Sequence, residues 1–258
     1  MIGFGRIAAY CYALVLLLIG STLAASALGT RLGLGAPGMI AAAGLLPALF
    51  AIAGTIVLER QLTGASLSHC VTTLGLGKPS RRQLVVTALC ATPIVLAYCV
   101  VFPGFGTSPK TVSYLPWLIV KFILSQGIGE EIVFRGFAFR HLRTGRSFWR
   151  AAGLSALLFS SVHLAHLIKG VSPEILTNMT ISILFSAFMG FSFACLYEYG
   201  GNSLWGCALL HVTIDSGNWF ANAPDAGLNA PYLIMMLGLT ASLVLVFPLV
   251  ARDKALYE

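Results

Sequence analysis

The sequence predicts an all-α, polytopic integral membrane protein that crosses the bilayer about eight times. Of its 258 residues, 57% are hydrophobic and 10% are charged, whereas an ordinary soluble domain has roughly 25% charged residues. A bilayer-spanning helix needs about 20 apolar residues, so about eight such helices and their loops fit this length. The composition excludes a typical soluble globular enzyme. The sequence shows no internal repeat and no second domain, so we expect a single membrane domain over residues 1–258.

Apolar runs of spanning length follow one another along the chain, separated by turn signals such as Gly-Ala-Pro-Gly at residues 35–38. The first run is longer than the apolar part of a secretory signal, so we interpret it as a membrane anchor. The seventh is the weakest because it carries a histidine, an aspartate and an asparagine. The predicted spans are residues 7–28, 38–58, 84–103, 114–134, 151–168, 175–197, 203–220 and 231–250.

The net charge of +7 is concentrated in alternate loops. With a cytoplasmic N-terminus, eleven Lys and Arg residues lie on the cytoplasmic side and three lie on the other, as the positive-inside rule requires. We therefore expect both termini in the cytoplasm. Topology accounts for the basic charge, so the lipid bilayer is the expected partner and nucleic acid is not. The sequence carries no signal for a particular oligomeric state.

Three of the predicted spans contain clusters of ionisable residues. The fourth ends in Gly-Glu-Glu-Ile-Val-Phe-Arg-Gly at residues 129–136, the fifth contains Phe-Ser-Ser-Val-His at 159–163, and the seventh contains His-Val-Thr-Ile-Asp at 211–215. Each charged group costs about 2.5–3.5 kcal/mol at the centre of a membrane helix on insertion scales. Groups this costly need a partner or a function.

In the fourth span, Glu131 and Arg135 are four residues apart on one helical face. An ion pair between them lowers the cost of burying either side chain. Glu130 is turned about 100° away from Glu131 on an α-helix, so it is expected to face a different neighbour. Spacing alone therefore leaves Glu130 as the carboxylate without a local partner.

In the other two spans, Phe159 shares a face with His163, and His211 shares one with Asp215, which can orient the imidazole. The helical rise puts Glu130, His163 and His211 roughly 12–18 Å below the cytoplasmic surface, so these three side chains can converge. A carboxylate and two imidazoles in a protected cavity suit hydrolysis, in which one pair activates water and the other stabilises an oxyanion. The structural alternative is a buried hydrogen-bond network that locks the helices together.

These motifs together resemble a known family. Glu-Glu-x-x-x-Arg, then Phe-x-x-x-His, then His-x-x-x-Asp/Asn on successive apolar helices is similar to the CPBP family of intramembrane proteases, which includes the CAAX prenyl endopeptidases and their bacterial, Abi-type relatives. Each motif alone is weak, but all three in order are fairly specific. The resemblance covers approximately residues 114–220, the expected catalytic core, and implies an intramembrane endopeptidase in the inner (plasma) membrane of a bacterial cell.

The resemblance also implies roles for individual residues. Glu130 and His163 would activate water, while His211 and the residue at 215 would stabilise the oxyanion. Where the prenyl-protein endopeptidases have Asn, this chain has Asp215, which as an anion cannot donate a hydrogen bond. Either Asp215 is protonated or it orients His211. The difference weakens the expectation of a prenylated substrate and favours an endogenous membrane-associated protein or peptide.

The remaining motif residues have supporting roles in this interpretation. Glu131 would pair with Arg135 to hold the helix end, and Phe159 would pack beside the site. Members of the family have been discussed both as metalloproteases and as glutamate-dependent proteases, and the sequence lacks a His-Glu-x-x-His zinc signature. A divalent metal ion therefore stays an alternative to a metal-free site, with Glu130, His163, His211 and Asp215 as its candidate ligands.

Two other functions compete with proteolysis. Ionisable residues inside spans also mark ion pathways, so a proton-coupled transporter is one rival. The absence of an obvious inverted repeat and the restriction of the polar groups to three helices disfavour it. The second rival is a catalytically silent scaffold or immunity protein on the same fold. All of the ionisable motif residues are present, which argues against this rival. A site without catalytic function would tolerate residues that cost less to bury in the membrane.

Overall fold

The computed structural model describes residues 2–105, 113–220 and 230–250. This part of the chain is helical and contains no β-strand. The first half consists of α1 (Phe4–Arg31), α2 (Ala36–Thr63), the short α3 (Leu67–Thr73) and α4 (Arg81–Phe105). The C-terminal tail from residue 251, on which part of the predicted orientation rests, lies outside the described residues.

The second half is less regular. After α5 (Leu115–Phe122) come two π-helical segments, Ile123–Glu130 and Ile132–Phe139, which lead into the single turn α6 (Arg140–Arg143). Helix α7 (Phe148–Ser161) continues as a 3₁₀ segment, Val162–Lys169. The chain then forms the three helices α8 (Pro173–Tyr199), α9 (Trp205–Phe220) and α10 (Ala230–Val250).

Six helical stretches of the described residues are long and apolar enough to cross a membrane. They coincide with six of the eight predicted spans, so a polytopic all-α protein is confirmed. The fourth predicted span is divided between α5 and the π-helical segments, and the seventh corresponds to α9, which has only 16 residues and includes polar groups. These two spans, and the orientation of the termini, stay predictions. The six spanning stretches are Phe4–Arg31, Ala36–Thr63, Arg81–Val101, Phe148–Ile168, Pro173–Tyr199 and Tyr232–Val250.

Three helix pairs form the framework around the polar residues: α1 packs on α2, α7 on α8, and α4 on α10. Small residues permit the closest approach. At Gly190 of α8, a Cβ atom would lie 2.6 Å from the Cβ atom of Ala156 in α7, which is shorter than van der Waals contact. The fit of α7 against α8 therefore depends on glycine, as in other membrane helix interfaces.

The second π-helical segment lies in the centre of the molecule, and all eight of its residues are buried. The Ser155 hydroxyl of α7 donates a hydrogen bond to the Phe134 carbonyl of this segment at 3.0 Å. Side-chain groups that donate to backbone carbonyls help to satisfy the hydrogen bonding of a backbone that departs from the α-helical pattern inside a membrane. π-Helical turns are rare and are found frequently at functional sites.

Candidate active site

His211 is the centre of the polar cluster. It lies in α9 and is only 3% exposed. Its Nδ1 atom is 2.8 Å from Glu131 Oε1, on the segment between the two π-helical stretches. A ring N–H that donates to a carboxylate fixes both the orientation and the tautomer of the imidazole. Glu131 can therefore hold His211 with the Nε2 atom directed away from itself.

Two further carboxylates face that second nitrogen. Asp215 Oδ2 lies 3.4 Å from His211 Nε2, and Glu130 Oε2 lies 4.0 Å from it. The side chains of Glu130 and Asp215 are 30% and 25% exposed, whereas that of Glu131 is fully buried. The Nε2 side of the ring is thus the accessible side, and a reacting molecule would approach there.

Arg135 compensates part of this negative charge. Its Nε atom lies 3.3 Å from Glu131 Oε2, and both side chains are fully buried. The guanidinium carbon lies 4.5 Å from the ring centroid of Phe159 and 5.1 Å from that of Phe193. Aromatic faces attract a cation at such distances. One carboxylate, Glu131, therefore contacts a cation with one oxygen and the catalytic candidate His211 with the other.

His163 and His211 both pack against the ring of Phe159. The Phe159 ring centroid is 6.2 Å from that of His163 and 5.9 Å from that of His211. His163 belongs to the 3₁₀ segment, where it lines a cavity of about 490 Å³ together with His166 and Asp215. Because Asp215 also contacts His211, it connects the cavity to the carboxylate cluster.

Among the four predicted catalytic residues, Glu130 and Asp215 both face the Nε2 atom of a third, His211. The fourth, His163, faces the adjoining cavity. The expected Glu131–Arg135 pair is present. One geometric expectation differs: Glu130 and Glu131 do not face different neighbours but meet the two nitrogens of the same ring. They lie at the junction of two π-helical segments, and Glu131 keeps its i, i+4 pair with Arg135.

Sequence reasoning missed the contact between Glu131 and His211, since the local spacing already supplied Arg135 as a partner. It also missed Glu59, a buried carboxylate of α2 that pairs with Arg140 and accepts a 2.9 Å contact from His141 Nε2. His141 is largely buried, with 12% of its side chain exposed, and packs on the Phe137 ring at 4.8 Å. The arginine-rich turn, residues 140–150, thereby contacts α2 through Glu59.

The candidate metal ligands do not fit a metal centre. In the described part of the chain, no group of three or more His, Cys, Asp or Glu side chains has a geometry that could hold a metal ion. We therefore derive no step through a metal.

A buried imidazole between carboxylates, beside a cavity and within an apolar helical bundle, defines a candidate hydrolytic site of an integral membrane protein. Residues 112–217 match the family model described as Type II CAAX prenyl endopeptidase Rce1-like. This protease-family match contains every predicted site residue, so the resemblance to the CPBP and CAAX protease family is confirmed over the segment that carries the motifs. Neither the curated proteins nor the solved structures include a match.

Proposed function

We propose that this protein is an intramembrane endopeptidase that hydrolyses a peptide bond of a membrane-associated protein or peptide. Its catalytic core lies within residues 114–220, and its location is the inner membrane of a bacterial cell. Glu130 and His163 activate the water, and His211 stabilises the oxyanion. The protease family of residues 112–217 supports the reaction class.

One observation carries the proposal: a single buried imidazole has a carboxylate at each nitrogen and an accessible side. Glu131 at 2.8 Å from Nδ1 keeps the proton on that atom when the ring is neutral, and it stabilises the ring when both nitrogens are protonated. In the protonated ring, the Nε2–H group can donate to an oxyanion. A purely structural network has no need of a polar, accessible side.

Glu130 supports the role of general base. Its Oε2 atom is 4.0 Å from His211 Nε2, too far for a direct hydrogen bond. A separation of this size is bridged readily by a water molecule or by a substrate atom. The carboxylate removes a proton from the water as its oxygen attacks the peptide carbonyl carbon, and the proton is later transferred to the leaving amine.

Asp215 has a different part in this proposal. As a carboxylate it accepts hydrogen bonds and cannot donate one to an oxyanion. At 3.4 Å from Nε2 it stabilises a positive charge on His211 and directs the ring. We therefore assign oxyanion stabilisation to His211 alone and a positioning role to Asp215.

The test compares the termini of membrane and secreted proteins in cells that express the wild type, Glu130→Gln or Glu198→Gln. Glu198 is the matched control, since it is a half-buried glutamate that pairs with Arg143 outside the cluster. We expect new termini with the wild type and the control and none with Glu130→Gln. The same new termini in cells with an abundant, folded Glu130→Gln variant would overturn the role of Glu130, and none in any strain would overturn proteolysis.

A further inference from the structure

We propose that the substrate is a short apolar peptide segment in extended conformation, which reaches the site through the cavity beside His163 from the membrane face opposite the arginine-rich turn. This inference rests on the proposed function and adds the conformation of the substrate and its direction of approach. It is carried by the position, size and lining of the cavity.

The cavity is formed by four elements. The 3₁₀ segment contributes His163, α8 contributes a long wall from Ile175 to Met189, α9 contributes Asp215, and α10 contributes Tyr232 and its neighbours. Its volume of about 490 Å³ lies in the usual range for sites that enclose small ligands. The cavity therefore has room for a few residues of a peptide chain.

The direction of the cavity follows from the helices that line it. The arginine-rich turn is located at the C-terminal end of α8, because Glu198 pairs with Arg143 there. At 1.5 Å per residue, Met189 lies about 14 Å from that end and Ile175 about 34 Å from it. Asp215 lies about 15 Å along α9 from Trp205. The cavity thus extends from the depth of Asp215 away from the arginine-rich turn.

The lining is polar along one line and apolar elsewhere. Asn178, Ser182 and Ser186 are spaced four residues apart on α8, and all three line the cavity, so they form one stripe along the helix. An extended backbone inside a membrane needs hydrogen-bond partners that a helix supplies internally. Asn178 and Ser182 can donate and accept, and Ser186, whose hydroxyl donates to the Ser182 carbonyl at 2.6 Å, can accept. Phe185 and Met236 in the same lining suit apolar side chains.

The positive-inside rule assigns the arginine-rich turn to the cytoplasm. The substrate then approaches from the non-cytoplasmic face, with the scissile bond carried down to Asp215 and His211. Segments of exported or membrane-inserted chains that lack helical structure on that face have the required chemistry.

Cysteine accessibility tests this route in a Cys99→Ala background, since the other five cysteines are buried. Ser182→Cys probes the cavity, Leu184→Cys is the control at nearly the same depth on the lipid side, where Leu184 is 65% exposed, and Arg150→Cys marks the arginine-rich face. Each variant is treated with a membrane-impermeant methanethiosulfonate reagent in sealed vesicles of both orientations. The labelling rate and the subsequent cleavage of a substrate found by the termini comparison are measured.

We expect Ser182→Cys to be labelled at least tenfold faster than Leu184→Cys, and only from the face opposite the one that labels Arg150→Cys. Labelling should lower cleavage at least tenfold in Ser182→Cys and leave it unchanged in Leu184→Cys. Labelling of Ser182→Cys from the arginine-rich face, or full cleavage after its complete modification, would overturn the inference. If the proposed function is wrong, the wild type cleaves no substrate, but the labelling rates still report the direction of the cavity. A failure of proteolysis is therefore distinguishable from a failure of the access route.

Discussion

Glu131 serves two partners with its two oxygen atoms. Oε1 is 2.8 Å from His211 Nδ1, and Oε2 is 3.3 Å from Arg135 Nε. Neither the carboxylate nor the guanidinium is exposed, so each depends on the other for charge compensation. The residue therefore connects stability to the orientation of the candidate catalytic ring.

We predict that Glu131→Ala destabilises the protein by about 3–5 kcal/mol, because it leaves the Arg135 charge buried and unpaired. Activity should also fall by about 10–100-fold, as for other residues that orient a functional histidine. The matched change Glu198→Ala removes a partly exposed, bidentate pair with Arg143 and should cost less than Glu131→Ala, because water can reach the Arg143 guanidinium. Chemical unfolding in detergent measures both. Equal losses for the two variants would contradict the bridging role of Glu131.

For individual residues, the sequence predicts which side chains form the polar cluster around His211 but not all of the contacts between them. Glu130, His163, His211 and Asp215 stand out because ionisable groups in spans are costly. The contact of Glu131 with His211 joins residues 80 positions apart, and spacing along one helix carries no information about it. The buried pairing of Glu59 with the arginine-rich turn was missed for the same reason.

At the scale of the elements, the two π-helical segments distinguish the fourth predicted span from a regular helix. Apolar periodicity predicts helix there, but it does not separate α-helical from π-helical hydrogen bonding. The junction of the two segments lies at Glu130 and Glu131. From this junction Glu131 contacts Nδ1 of His211, and Glu130 faces Nε2 of the same ring.

Helix packing at Gly190 offers a test at the same scale. An added Cβ atom there would lie 2.6 Å from Ala156 Cβ, whereas one at Gly153, also in the α7–α8 pair, would lie 3.6 Å from the Phe191 ring. We predict that Gly190→Ala costs about 1–3 kcal/mol through overpacking and that Gly153→Ala costs less than about 0.5 kcal/mol. Thermal unfolding in detergent compares them. A Gly190→Ala protein as stable as the wild type would show that the helices separate at little cost.

At the scale of the whole molecule, the composition predicts a polytopic membrane protein, and six spanning helices confirm it. Of the three spans that carry the polar residues, the fourth and the seventh are the ones that length and hydropathy do not establish. This is expected physically, because polar residues and irregular backbone lower the apolar signal at the very helices that form a buried site.

The predicted orientation has a direct test at two turns. Gly145 lies in the arginine-rich turn and Gly170 follows the 3₁₀ segment, so one crossing separates them. We predict that a reporter inserted at residue 145 shows a cytoplasmic location and one at residue 170 the opposite location. Paired fluorescent and phosphatase reporters measure this. The same location at both turns would contradict the crossing by α7 and its 3₁₀ extension.

In the proposed mechanism, a water molecule activated by Glu130 and His163 hydrolyses a peptide bond. The most direct measurement is the cleavage rate of purified wild type, Glu130→Gln and His163→Ala in lipid vesicles, with a substrate found by the termini comparison. Each substitution should lower the rate by about 10²–10⁴-fold, the contribution of general acid–base catalysis, while the unfolding midpoint stays close to that of the wild type. Cleavage by folded Glu130→Gln at the wild-type rate would show that Glu130 is not the general base.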